Sequence, residues 1–205
     1  MQRERTLAAR VVYDGIGLHS GQPVHMELAP APPGTGILFA RSDLPEALPV
    51  AATAANVTAT LRATTIAAGT LKFFTIDHLM SALHVHGVDN CLVLLNAEEP
   101  PVVDGSARTF FRLIAEAGTV EQDAERRETV IDRIYRADDG SHFIMALPYD
   151  GLRVSFTSLN DHPLIGVQYY DLEVTPETYE REIAPARTIA YEKEVAALQA
   201  NGLGL

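Results

Sequence analysis

Asp77 and His78 stand side by side at the predicted start of a helix. There the helix dipole favours an anion and disfavours imidazolium, so the pair offers an unprotonated imidazole and an ionised carboxylate. A zinc–water site needs those two groups, one as ligand and one as proton acceptor. From composition alone the same pair also reads as ordinary capping beside a core-edge His. His84 and His86 share the segment, but separations of six, eight and two residues lack the i, i+4 spacing that turns two rings to one helix face. Those two fall in the last turn before Gly87, where an imidazole interacts favourably with the carbonyl end of a helix. His19, His25, His142 and His162 lie in turns or strand ends and alone indicate nothing. Asp104-Gly105-Ser106 can likewise be only a turn followed by an N-cap.

The elements that must position these residues follow from pattern. Thr75 is placed as an N-cap, Ile76, Leu79, Met80 and Leu83 form a stripe, and Gly87 sits at C′. A second helix is expected from Ser106, with Ala107, Phe110, Phe111, Ile114 and Ala117 on one face and a stop at Gly118. Between them, Asn90 to Asn96 is too short and too apolar for an exposed helix and reads as a buried strand. Short strands broken by Gly and Pro fill the first hundred residues, among them Val24 to Leu28 and Gly36 to Arg41. The charged run Glu121 to Glu128 lacks apolar periodicity and reads as a linker. Beyond it, Phe143 to Leu147 and Leu152 to Thr157 flank the turn Pro148 to Gly151 as a hairpin. Val167 to Val174 is a further strand, and a helix is expected from about Tyr191 to Ala200 with Gly202 past its end. The order fits two α+β units in tandem better than a doubly wound α/β fold.

The 205 residues carry a net charge of −11 at pH 7 and are 47% apolar, a globular composition with room for one large or two small cores. Scattered Lys and Arg disfavour a nucleic-acid binder, which clusters them against phosphate. No apolar run approaches a membrane span, and the N-terminus has no signal-peptide core. The single Cys91 lies in an apolar run and reads as a buried structural thiol. The cytoplasm is the expected compartment. The second unit has several strands but one substantial helix to cover them, and the chain stops at Asn201-Gly202-Leu203-Gly204-Leu205 without a closing element. An amphipathic sheet must bury its apolar face, so we expect a truncated second unit and poor solubility of the isolated chain.

Five segments read together carry more than each alone. Gly15-Ile16-Gly17-Leu18-His19-Ser20-Gly21, Phe74 to Leu83, Val88-Asp89-Asn90, Glu99 to Ala107 and Ala186-Arg187-Thr188 occur in this order and at these distances. The set resembles the UDP-3-O-acyl-N-acetylglucosamine deacetylases, zinc amidases that commit bacteria to lipid A synthesis. The likeness runs from Arg5 to Leu205 and accounts for about the first two-thirds of such an enzyme.

That resemblance implies two related α+β domains with helices sandwiched between sheets, each carrying one insert. The first domain would be residues 1–125 with an insert near Arg62 to Thr70, and the second, incomplete, residues 126–205 with its insert from about Thr188. Zinc would be held by His78 plus a His and an Asp from an H-K-x-x-D stretch, which these residues do not contain. Asp77 would take the proton as water attacks the acetamide carbonyl, and Thr188 would donate to the oxyanion. A late His would protonate the leaving amine. Leu18 and Ala63 match residues of the active-site cleft; Ile189, Tyr191, Val195 and Gly204 match walls of an apolar passage for the acyl chain of a UDP-linked acylated amino sugar. The family carries Glu at the position of Asp77, and one methylene less draws the carboxylate back from the water; a misplacement of about 1 Å can cost ~10²-fold in rate. The implied activity is amide hydrolysis, with the isolated chain expected inactive. The rival reading is a non-catalytic homologue that keeps a sugar-nucleotide or acyl pocket as a regulatory or interaction module.

Overall fold

A computed structural model of the chain describes residues 2–204. Two compact units emerge: one takes the chain up to Arg126 and again from Glu180 onward, the other is Arg127–Tyr179. The fold is α+β. In the first unit the elements are β1 (Arg3–Leu7), β2 (Val11–Ile16), β3 (Pro23–Pro30), β4 (Ile37–Arg41), β5 (Val50–Ala51), β6 (Val57–Ala59), β7 (Thr65–Ala68), β8 (Leu71–Phe73), α1 (Asp77–Val85), β9 (Cys91–Leu95), α2 (Arg108–Ala117) and β10 (Thr119–Glu125). A five-stranded sheet runs β2-β3-β9-β4-β5, antiparallel except where β4 lies parallel to β9. Separate antiparallel sheets join β1 to β10 and β6 to β7 to β8. The last of these covers the stretch that the resemblance reads as an insert.

Alternation builds the core. On β3 the side chains of Val24, Met26 and Leu28 are buried, as period 2 requires. On β9, Cys91, Val93 and Leu95 are fully buried, so the expected buried strand is present. Burial pushes the Cys91 thiol up to about 12, which makes it an inert core group. Leu79, Ala82 and Leu83 of α1 and Phe110, Phe111, Ile114 and Ala117 of α2 are also buried. The two helices pack on each other. Both end where the sequence indicates, at Gly87 and Gly118, which adopt φ of 66° and 68°.

Asn90 ties β1 and β10 to this sheet. Nearly all of it is buried, and its amide donates to Glu4 and Gln122 at 2.8 Å each while its Oδ1 accepts from the Gly36 amide at 2.8 Å. Beside it, Asp89 accepts from the Arg5 amide at 2.9 Å and from Arg126 Nε at 2.8 Å. The Val88-Asp89-Asn90 segment is thus accounted for by satisfying buried polar groups.

Three local expectations are corrected. The run Glu121 to Glu128 is no linker in its first part, because Thr119–Glu125 is a strand paired with β1. The hairpin expected across Pro148 to Gly151 does not form. In the second unit, β11 (Tyr135–Asp138) pairs with β12 (Phe143–Ala146), and β13 (Arg153–Leu159) pairs with β14 (Val167–Glu173). The first of these is closed by Asp139, whose Oδ1 accepts from the amides of Ser141 and His142 at 2.9 and 2.7 Å. Apolar side chains of this unit are open to solvent, Phe143 at 62% and Phe156 at 63%. The helix α1 also starts later than expected, with Ile76 rather than Thr75 at its N-cap. After β14 the chain forms a short helical turn, α3 (Pro176–Thr178), a π turn (Tyr179–Ile183) and α4 (Glu192–Ala200). No helix among the described residues is long and apolar enough to cross a membrane.

His86 joins α1 to α2, with its Nε2 2.9 Å from the Phe111 carbonyl and its ring 4.3 Å from that of Phe111. Burial holds this imidazole below its ordinary value of 6.5, against smaller opposing pulls from the Phe111 carbonyl and Glu180. The unfolded chain therefore takes up the proton at higher pH than the native one. The stability that neutral His86 contributes is complete above about pH 6.5 and is lost as pH falls from there towards the lower native value. His86→Gln keeps an N–H for the Phe111 carbonyl. Its denaturation midpoint should fall less between about pH 7 and pH 5 than that of the wild type; an equal fall contradicts this assignment.

Candidate functional site

Glu99 has no exposed surface. Leaving an ionised carboxylate so deeply buried is costly unless donors surround it. Here its Oε1 accepts from the amides of His19 at 3.1 Å and Ser20 at 2.7 Å, and its Oε2 from the His19 amide at 3.2 Å and the Thr75 hydroxyl at 3.4 Å. Consecutive amides facing one anion form a nest, and the turn closes on itself through the Gly17 amide and the Gln22 carbonyl at 2.9 Å. One buried side chain thus binds the loop after β2 to the residue that leads into α1.

The start of α1 carries the predicted pair. Thr75 adopts φ 58°, and its hydroxyl turns to Glu99 instead of a helix amide, which is why it is not the cap. Asp77, in the first turn, accepts from the Thr64 amide at 3.2 Å and from the Thr64 hydroxyl. The His78 ring is partly exposed and makes no hydrogen bond or ion pair among the described residues, so its nitrogens are open to a metal. Among the described residues no three His, Cys, Asp or Glu side chains come together, whereas zinc sites draw on three or four protein ligands. The residues present therefore fit one ligand of a zinc site and an adjacent carboxylate, a partial set.

A cavity of about 400 Å³ opens within the first unit, a size that suits a small-molecule ligand. Its walls come from four stretches: Leu18 and His19; Val102 to Gly105; Arg187 to Ala190; and Leu198, Leu203 and Gly204 of the terminal segment, with Arg62 at one side. Backbone and side-chain contacts hold them together. The Thr188 amide donates to the Gly105 carbonyl at 2.9 Å, Gly204 donates to His19 Nδ1 at 3.3 Å, and Arg62 pairs with Glu194 of α4 at 2.9 Å. That pairing holds the Glu194 carboxyl below the usual range. The Ser106 hydroxyl, 2.6 Å from Asp104 Oδ1, does the same for Asp104.

Leu18, Thr188, Ile189 and Gly204 line this cavity. Tyr191 is the N-cap of α4 and Val195 lies on it, 40% exposed; neither is among the lining residues. Asp77 and His78 are not on the lining either. The segment Arg62-Ala63-Thr64 leads from the wall, at Arg62, to the Asp77 carboxylate, at Thr64. Residues the sequence reading passed over are His19 and Arg62. The position of His19 two residues after Gly17 was the available signal, since a residue without a side chain at 17 allows the close approach of Glu99.

Strain marks the same place. Among the described residues, the non-glycine positions with left-handed φ are Arg62, Thr75 and Val103. Two line the cavity and the third leads into α1. A left-handed β-branched residue costs of order 1–3 kcal/mol and persists where its surroundings over-determine it. A Cβ on Gly17 would lie 2.7 Å from Glu99 Cδ and closer still to Glu99 Oε1 and Ser20 Oγ. Gly17→Ala should therefore destabilise by about 1–3 kcal/mol, read as a lower denaturant midpoint at unchanged m-value. An unchanged midpoint contradicts the close packing of Glu99.

Comparison with known proteins shows the family. The family model described as LpxC: UDP-3-O-acyl N-acetylglycosamine deacetylase matches residues 4–205. A relative named UDP-3-O-acyl-N-acetylglucosamine deacetylase in Anaeromyxobacter sp. (strain Fw109-5) is 42% identical over 202 residues, 98% of this chain and 65% of the relative. Proteins of the same name in Pseudomonas entomophila (strain L48) and Acidithiobacillus ferrooxidans (strain ATCC 53993 / BNL-5-31) are 39% and 41% identical over 207 residues, each covering 100% of this chain and 68% of the relative. The chain spans 65% of the length of the Anaeromyxobacter relative. On these matches the chain belongs to the UDP-3-O-acyl N-acetylglycosamine deacetylase family.

Proposed function

We propose that the protein carrying this chain is a zinc-dependent amidohydrolase acting on UDP-3-O-acyl-N-acetylglucosamine. It would release acetate and leave the free amine, the committed step of lipid A biosynthesis, and a nucleotide-linked substrate suits a cytoplasmic reaction. Family membership supports this reading. The observation that carries it is the convergence of Leu18, Thr188, Ile189 and Gly204, from three separate stretches of chain, on one cavity.

His78 would hold the metal together with the H-K-x-x-D ligands that the family supplies outside these residues. Zinc, when bound, is a Lewis acid that polarises a carbonyl and brings the pKa of water to about 7. Asp77, in the first turn of α1, would accept the proton of the attacking water. Thr188 is fixed by its amide to Gly105, and its hydroxyl has no partner among the described residues. That hydroxyl would donate to the oxygen that gains charge when the amide carbon becomes tetrahedral. Leu18 and Ala63 would border the reacting groups, and Ile189, Tyr191, Val195 and Gly204 would enclose the acyl chain. We carry the domain division at 125/126 as part of this reading, with the stretch from Thr188 onward as the second domain's insert.

One observation favours the rival module. Both Asp77 oxygens are taken by Thr64, and the side chain is one methylene shorter than the family's Glu. Acetate release by the native gene product decides between them. The hydrolase reading expects acetate and free amine, lost on chelation. Asp77→Asn should then lower kcat by about 10²–10⁴-fold with zinc content unchanged, and Asp77→Glu should raise turnover. Substrate binding without acetate release supports the module instead.

A further inference from the structure

The Glu99 carboxylate has no part in the proposed chemistry, yet it is the most heavily solicited buried anion of the first unit. It forms no hydrogen bond with Asp77 or His78 among the described residues, and it is not on the cavity wall. Its partners belong to the two sides of the site: the amides of His19 and Ser20, in the loop that offers Leu18 and His19 to the cavity, and the hydroxyl of Thr75, two residues before Asp77. No Lys, Arg or His among the described residues forms an ion pair with it, so its charge is answered by these neutral donors alone. Thr75 is also the strained position that leads into α1. A β-branched residue holds a left-handed φ only where its surroundings fix it, and its hydroxyl lies 3.4 Å from Glu99 Oε2.

We propose that Glu99 is a positioning residue for the deacetylation: its carboxylate fixes the distance between the start of α1, with Asp77 and His78, and the cavity wall formed by Leu18 and His19. This rests on the proposed function. A carboxylate is suited to the task because it can accept from two adjacent amides and a hydroxyl at once, whereas an apolar side chain of like volume would leave those amides buried and unsatisfied. Gly17 is part of the same device, since any side chain there would push Glu99 out of its place.

Each arm of the device can be cut separately. Glu99→Ala removes both and frees the start of α1 to shift; a displacement of about 1 Å lowers kcat by ~10²-fold. Thr75→Val removes only the hydroxyl at the α1 arm, keeps the branched shape, and serves if Glu99→Ala does not fold. Glu99→Gln keeps one oxygen for the Ser20 amide and an NH2 group that the Thr75 hydroxyl can accept from, so it should rescue.

The experiment measures kcat and KM for acetate release on the native gene product and its variants, with hydrogen exchange at the His19 and Ser20 amides as a second readout. Expected are a kcat lowered roughly five- to tenfold by Thr75→Val, the worth of one ordinary hydrogen bond, at unchanged KM; near wild-type values for Glu99→Gln; and faster exchange of both amides in Glu99→Ala. Unchanged kcat in Thr75→Val, or amide exchange unaffected by Glu99→Ala, overturns the proposal while leaving the deacetylase reading intact. A variant that melts lower but keeps full kcat when folded also overturns it, since Glu99 would then serve stability only. A wild-type protein that releases no acetate overturns the proposed function, and this role with it, a result distinct from the others because no variant is needed to see it.

Discussion

A buried carboxylate that no cation among the described residues answers is the constraint on which the site depends. Glu99 is fully enclosed and satisfied by two backbone amides and a hydroxyl from two stretches of chain more than fifty residues apart. Desolvation makes such a group costly when any donor is missing, so loop, strand end and helix start must come together in one arrangement. Asn90 plays a matching part elsewhere in the first unit, where Glu4, Gly36 and Gln122 meet on one amide. Hydrophobic burial on β3, β9, α1 and α2 supplies the driving force for the first unit; these two polar side chains select one geometry from the many that burial would allow.

The strained positions extend the same logic. Arg62, Thr75 and Val103 hold left-handed backbone where glycine would be at ease, and each borders the cavity or the start of α1. Such strain is retained where the surroundings require it. Arg62 is tied by its ion pair to α4, Val103 stands between Pro101 and the Asp104-Gly105 turn, and Thr75 is tied to Glu99. The cavity is thus framed by segments that local preference alone would not have shaped.

Much of this was legible in the sequence, and what was missed was non-local. The helix stops at Gly87 and Gly118, the buried strand from Cys91 and the helix after Tyr191 follow from periodicity and terminal glycines. Thr75 has the residue type of an N-cap, but a carboxylate twenty-four residues away takes its hydroxyl. The run Glu121 to Glu125 has no apolar period because β10 lies at an edge and pairs with β1 near the other end of the unit. The hairpin across Pro148 to Gly151 was a wrong choice of turn. Asp139-Gly140 was the stronger signal, and it pairs Phe143–Ala146 with the strand before it. His19 and Arg62 could not be placed on a cavity by any periodic rule, since they reach it through a nest and an inter-segment ion pair.

Under the proposed function, which family membership and the arrangement of Leu18, Thr188, Ile189 and Gly204 around one cavity support, the metal is the point on which the chemistry would turn. His78 has an imidazole without a hydrogen-bond partner among the described residues, in the first turn of α1, with Asp77 beside it. The most direct measurement is X-ray absorption at the zinc edge of the native gene product loaded with one equivalent of metal, compared with His78→Ala. The account predicts a histidine nitrogen at about 2.0–2.1 Å from zinc that disappears in the variant. An identical zinc environment in the two proteins would contradict it.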